Sequence, residues 1–200
     1  MALSCALAAL AAMTGCAGPS LWERHFVASM PGVQVSKEAP SKSAPPARVR
    51  RVPWERLQST LQDLEQEAAA SDAPIDEWAP EKRADADARL LRGLQVTAAP
   101  ATVDVLGFSE FRTTQFGQPD EAELQTTARR VGADTVVWAS EYLGKTDAVV
   151  ERPVTTSTTW TNWYSRGRRT RTYTDTSTTF VPVRIQADQF AFVAFFLRSN

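Results

Sequence analysis

Residue types that commonly carry enzyme chemistry are scarce in this sequence of 200 residues. It contains one His, His25, and two Cys, Cys5 and Cys16. Nucleophilic triads need a His beside the nucleophile, and zinc sites built on imidazole need more than one. The sequence also contains neither a P-loop nor a Gly-x-Gly-x-x-Gly pattern. We therefore expect no metal, no cofactor and no catalytic role for His25.

Acidic residues are the remaining candidates for catalysis. Asp120 stands close to Glu121 and Glu123, and Asp85 stands close to Asp87. Two carboxylates perform acid–base work when their surroundings separate their pKa values. The same residues also suit the first turn of a helix or a solvated helix face. The pattern leaves a carboxylate-dependent hydrolase as an alternative function.

Arginines and aromatic residues crowd into residues 160–171, which we call the basic tip. Arg side chains bind phosphate and carboxylate groups bidentately, and flat aromatic rings stack on sugars or bases. The basic tip therefore predicts binding to an anionic polymer or a protein partner, although these residues could instead keep an exposed sheet edge soluble. A net charge of -1 argues against a nucleic-acid partner. The candidate residues are Trp160, Trp163, Tyr164, Arg166, Arg168, Arg169 and Arg171.

The N-terminus has the pattern of a cleaved export signal. Residues 2–13 are apolar but too few to span a bilayer. The following residues, Met13-Thr14-Gly15-Cys16, resemble a bacterial lipobox. The resemblance implies that residues 1–15 are a removed signal peptide and that Cys16 carries acyl chains such as palmitate. Such an anchor holds a protein on a membrane of the bacterial cell envelope, and Ala17 favours the outer membrane over the inner one.

Residues 16–52 have the composition of a linker. Five prolines punctuate a stretch that is rich in Ser, Ala and Lys, and its local charge is about +4. Such a segment buries too little apolar surface to order itself. We therefore expect a disordered tether over residues 16–52 and a single folded domain over residues 53–200.

Two helices are expected at the start of this domain. Leu57, Leu61, Leu64 and Ala68 follow helical spacing after Pro53. A second helix is predicted from about Pro80 to Arg92, ending at Gly93.

A β-α-β unit follows. Residues 102–108 alternate as a strand, residues 119–131 have the pattern of a helix that ends at Gly132, and residues 133–139 return as a strand. We expect the two strands to be parallel neighbours. This module, with Gly132-Ala133-Asp134 after its helix, resembles one in uncharacterised bacterial envelope lipoproteins. The resemblance implies an α+β domain and a location in the envelope but no activity.

The C-terminal third is predicted to be a long hairpin and a last strand. Eleven Thr fall within residues 155–179, and Thr is a good strand former. Residues 181–197 are predicted to be the last strand. Its C-terminal part is apolar on both faces, which is typical of a central strand. The fold class is therefore α+β, with N-terminal helices, a β-α-β unit and a Thr-rich hairpin that form a small mixed sheet. The expected function is a lipid-anchored structural, sensory or binding module. The alternatives are a carboxylate-dependent hydrolase and an accessory subunit of an envelope enzyme.

Overall fold

The fold is α+β, with helices on both faces of a five-stranded mixed sheet. The computed structural model describes residues 18–36, 45–71, 73, 77–163 and 170–200, with the side chains of residues 161–163, 170 and 171 outside this description. A 3-10 turn, Pro100–Thr102, precedes the third strand. The elements in chain order are α1 Leu21–Arg24, β1 Phe26–Ala28, β2 Arg48–Arg51, α2 Trp54–Ala69, α3 Pro80–Gly93, β3 Val103–Thr113, α4 Glu121–Val131, β4 Thr135–Trp163 and β5 Thr170–Ser199.

The strand order is β1-β3-β5-β4-β2, so the last strand of the chain lies in the middle of the sheet. The prediction of a central C-terminal strand is confirmed. β5 pairs antiparallel with both β3 and β4. The prediction that the two strands of the β-α-β unit are neighbours is wrong, because β5 lies between β3 and β4. These two strands are nevertheless parallel to each other, as both run opposite to β5.

Two apolar cores cover the two faces of the sheet. On one face, α1 and α4 bury Trp22 and Leu124 against alternate residues of β5 such as Phe192 and Phe196. On the other face, α2 buries Leu57 against the intervening residues of β5. Because every side chain of β5 from Ala191 to Leu197 is buried, this short stretch joins both cores.

The predicted helices form close to their expected positions. α2 buries Leu57, and α3 begins with Pro80 in its first turn, where a missing N–H costs nothing. The side chain of Asp120 accepts a hydrogen bond from the Ala122 N–H at 2.9 Å and caps α4. Gly132 ends α4 with a φ of 80°, a conformation that glycine adopts without a steric penalty.

The prediction of a disordered tether over residues 16–52 is wrong for residues 18–36 and 45–52. Trp22 is fully buried, and its ring lies 4.6 Å from that of Phe111. β1 pairs with β3, while β2 pairs with β4, so the segment supplies both edges of the sheet. The prolines and charges are compatible with these short strands because an edge strand exposes one backbone edge to solvent.

His25 lies in this packed segment and not in a linker. Its backbone caps the C-terminus of α1, and its exposed ring lies 5.4 Å from the ring of Phe111. On the same helix, Glu23 accepts two hydrogen bonds from Arg130 of α4, at 2.6 and 2.8 Å. Helix α1 is therefore fixed to the domain by both apolar and ionic contacts.

Asp134 secures the C-terminal end of β5. Its carboxylate accepts hydrogen bonds from the Ser199 N–H and the Thr135 hydroxyl, both at 2.8 Å. Desolvation raises the pKa of Asp134, but these hydrogen bonds outweigh that effect and hold the pKa below its ordinary value of 3.8.

Replacing Trp22 tests whether the N-terminal segment is part of the domain. W22A should lower the free energy of unfolding by about 3–5 kcal/mol, because a buried aromatic side chain is lost from a packed core. The measurement is urea unfolding followed by circular dichroism. The matched control is W160A on the exposed hairpin, which should change stability by less than about 1 kcal/mol. Equal, small effects of the two replacements would show that the segment is a tether after all.

Replacing Asp134 gives a pH-dependent prediction. A carboxylate with a lowered pKa stabilises the fold above its unfolded pKa, and this contribution is lost as the pH falls through the folded pKa. D134N should therefore cost about 1 kcal/mol at pH 7, and the difference from the original protein should shrink below about pH 4. Urea unfolding at several pH values measures this difference. A difference that stays constant across that range contradicts the assignment.

Candidate functional site

β4 and β5 continue beyond the sheet as a two-stranded antiparallel ribbon. The pairing of β5 with β3 ends where Thr113 lies opposite Phe190, and the pairing of β4 with β2 ends at Trp138. From there, twenty residue pairs follow in unbroken register, from Gly144 opposite Gln189 to Trp163 opposite Thr170. We call residues 144–163 and 170–189 the ribbon. At roughly 3.3 Å per residue its length is about 65 Å.

A β-bulge marks the root of the ribbon. The register shifts between Tyr142 and Gly144, which leaves Leu143 without a partner on β5. Gly144 has a φ of 104°, which favours glycine at this position. The hydroxyl of Tyr142 donates a hydrogen bond to Asp188 at 3.0 Å, and this bond raises the pKa of Tyr142. Bulges change the direction of side chains and bend strands. The extra residue in this bulge is the apolar Leu143.

The middle of the ribbon exposes apolar side chains. All residues in 151–160 and 172–182 are exposed. Phe180 is 61% exposed and Val149 is 66% exposed. An isolated two-stranded hairpin is at best marginally stable in water, because it has no apolar face covered by another element. The ribbon therefore exposes apolar side chains that no other element of the described chain covers.

The outer half of the ribbon is rich in Thr. The hydroxyl oxygens of Thr155 and Thr178 lie 3.3 Å apart across the strands, and those of Thr159 and Thr174 lie 3.5 Å apart. Cross-strand Thr pairs and high strand propensity support an extended backbone. These pairs favour the extended conformation, but they supply no covered apolar face.

The described ends of the basic tip lie at the far end of the ribbon. Trp160 lies opposite Tyr173 and is 54% exposed. Trp163 and Arg171 lie on β4 and β5. The ribbon thus brings together the two ends of the basic tip. The other candidate residues, Cys16, Tyr164, Arg166, Arg168 and Arg169, lie outside the described residues.

A groove of about 320 Å³ lies between α2 and the sheet, at the root of the ribbon. We call it the α2 groove. Its floor is formed by buried side chains of the helix and the central strand, and the bulge residue of β4 lies on its rim. Leu143 is 40% exposed there. The apolar lining residues are Trp54, Leu57, Leu61, Leu143, Ala191 and Val193.

The charged residues on the border of the α2 groove are mainly acidic. Glu65 comes from α2, Glu110 and Arg112 come from β3, and Glu141 comes from β4. The border of the groove therefore carries three carboxylates and one guanidinium group. Sequence reasoning missed this site because four elements supply its residues; on α2, the signals were Leu57 and Leu61 in the apolar stripe.

The acidic cluster at the start of α4 has a structural role. Asp120 caps the helix, and Glu121 and Glu123 lie in its first turn. Desolvation and the neighbouring Asp120 raise the pKa of Glu123. The cluster complements the positive end of the helix dipole.

The second predicted carboxylate pair lies on α3. Asp85 forms an ion pair with Arg89 at 3.1 Å, one helical turn away. Desolvation raises the pKa of Asp87, which borders a cavity between α3 and the sheet. The two carboxylates therefore have different surroundings and different neighbours.

Comparison with protein-family models, with curated proteins and with solved structures gave no match. Within the described part of the chain, no group of three or more His, Cys, Asp or Glu is placed to hold a metal ion. Among the same residues, no helix is long and apolar enough to cross a membrane.

Proposed function

We propose that this protein is a lipid-anchored module of a bacterial envelope that acts by binding, with the ribbon as its binding element. The observation that carries the proposal is the exposure of the ribbon over its whole outer length. A segment of about 65 Å that buries so little within its own chain gains its stability from a partner. The folded body would serve as the support that holds the ribbon out.

The lipobox-like residues supply the proposed anchor. Cys16 precedes the first residue of α1, Leu21, by five positions. A chain of that length spans less than about 18 Å even when it is fully extended. Since α1 packs on the sheet, acyl chains on Cys16 would hold the folded body close to the membrane surface rather than at the end of a long tether.

The basic tip indicates the chemistry of the partner. Four Arg in residues 166–171 supply a local positive charge that no carboxylate in that stretch offsets. Guanidinium groups pair with carboxylates or phosphates, and the nearby Trp and Tyr rings add flat apolar contact area. We therefore propose that the ribbon recognises an acidic surface.

Removing the four arginines tests the ribbon as a binding element. The combined replacement of Arg166, Arg168, Arg169 and Arg171 by Ala should lower binding to envelope fractions at least about 10-fold and abolish its dependence on salt. Co-sedimentation of the purified chain with those fractions at increasing salt measures both effects.

The matched control removes four exposed arginines from the body instead. Replacement of Arg48, Arg50, Arg56 and Arg83 by Ala gives the same change in net charge and keeps Cys16. The control should bind almost as well as the original protein. If both variants lose binding equally, net charge rather than the ribbon drives the interaction.

A further inference from the structure

We infer that the folded body binds a single-chain zwitterionic amphiphile in the cavity between α3 and the sheet. We call this space the α3 cavity; it lies between residues 83–91 of α3 and residues 103–105 of β3. The apolar chain of the ligand would fill the cavity, while Arg83 and Asp87 would hold its anionic and cationic groups. This site is separate from the ribbon, and the inference does not depend on what the ribbon binds.

One wall of the α3 cavity is a complete face of α3. Residues 83, 86, 87, 90 and 91 line it, and spacings of three and four residues mark one side of a helix. The opposite wall is the start of β3, and Leu64 of α2 lies beside it. The space between these walls measures about 680 Å³. This volume lies within the range of about 300–1,000 Å³ that is usual for small-molecule sites.

Contacts on other sides of α3 hold the helix in this position. Just before the helix, the indole N–H of Trp78 donates a hydrogen bond to the Ala73 carbonyl at 2.9 Å, and the ring is 5% exposed. The ammonium group of Lys82 lies over that ring, 3.7 Å from its centre. An ion pair between Arg89 and Glu67 ties α3 to α2. The cavity is therefore bounded by a fixed part of the fold.

The lining of the α3 cavity is apolar at one end and charged at the other. Arg83 and Asp87 are exposed, and they precede the apolar end of α3 by about two turns and one turn. An amphiphile fits this arrangement, because burial of its chain is favourable while its charged head stays in water. The apolar lining residues, which are buried or half-buried, include Leu64, Leu90, Leu91, Val103 and Val105.

The two charged residues of α3 at the cavity are not paired with each other. Arg83 precedes Asp87 by four positions, and a basic residue before an acidic one is the weaker order for an ion pair on a helix. Asp85 and Arg89 have the favourable order on the same helix, and they form an ion pair at 3.1 Å. Among the described residues, neither Arg83 nor Asp87 takes part in an ion pair. Both charges are therefore available to a ligand.

These two charges specify the head of the ligand. A guanidinium group binds a phosphate or carboxylate, and a carboxylate binds a cationic group. Arg83 and Asp87 lie one helical turn apart, about 6 Å, so a head with one group of each sign can satisfy both. Desolvation raises the pKa of Asp87, and Arg83 lowers it by a smaller amount. The third charged lining residue, Asp104, is already paired with Arg198 at 2.8 Å.

Titration calorimetry on the purified full chain tests the site with dodecylphosphocholine, a single-chain zwitterionic amphiphile, kept below its micelle concentration. A86F should lower the affinity at least about 10-fold, because the added ring takes the place of the ligand's chain in the cavity. The matched control, A84F, adds the same ring to an exposed position of α3 and should change the affinity by less than about 2-fold. Urea unfolding of both variants checks that they are folded.

Variants of the charged residues test the head group, with dodecyltrimethylammonium as the cationic probe and dodecanoate as the anionic one. D87N should lower the affinity for dodecylphosphocholine and for the cationic probe about 10-fold and raise that for dodecanoate. R83Q should lower the affinity for dodecylphosphocholine and for dodecanoate about 10-fold and raise that for the cationic probe. The control D85N should change each affinity by less than about 2-fold, whereas a fold defect would lower all three affinities alike.

Three results would overturn the inference. Equal affinities of A86F and A84F for dodecylphosphocholine would place the amphiphile outside the cavity. Equal affinities of the original protein for the three probes would show that Arg83 and Asp87 do not select the head. Vesicles of phosphatidylcholine, which carries the same head on two chains, should bind the original protein and A86F alike. A loss of vesicle binding in A86F alone would assign the cavity to a bilayer lipid and not to a single-chain ligand.

Discussion

β5 has two different sets of neighbours along its thirty residues. Within the body, β3 and β4 pair with its two backbone edges, and both of its faces are buried. Beyond Phe190, β4 alone continues beside it. A pair of strands becomes stable in water when further strands pair with it and another element covers an apolar face. The same strand therefore joins a firmly packed body to a ribbon whose outer residues are exposed.

The rest of the fold follows from the burial of β5. Two cores meet on it, so helices must cover both faces of the sheet. Covering the first face requires α1 as well as α4, because the indole of Trp22 fills the space around Phe111 and Phe192. This requirement draws the N-terminal segment onto the sheet. The proposed anchor at Cys16 and the ribbon would then both be attached to the same packed body.

Local patterns predicted the helices and the central strand because each carries its own signal. Leu57 and its helical neighbours form an apolar stripe, and Gly132 ends α4. Around Phe195 the residues on both faces of the strand are apolar. The packed N-terminal segment could not be predicted, since its order comes from one buried Trp and from pairing with distant strands. Likewise, the α2 groove joins Glu65 to Glu110 and Glu141, and no spacing along the chain connects residues that four elements bring together.

Amide hydrogen exchange in β5 of the purified protein without a partner tests most directly whether the ribbon depends on a partner. The amides of residues 191–197 should exchange only through global unfolding, because both edges and faces of the strand are covered. Those of residues 172–182 should exchange at least roughly 100-fold faster, as in a segment that opens locally, and should slow when a partner binds. Equal protection of the two segments without a partner would contradict the account, since it would show that the ribbon is stable by itself.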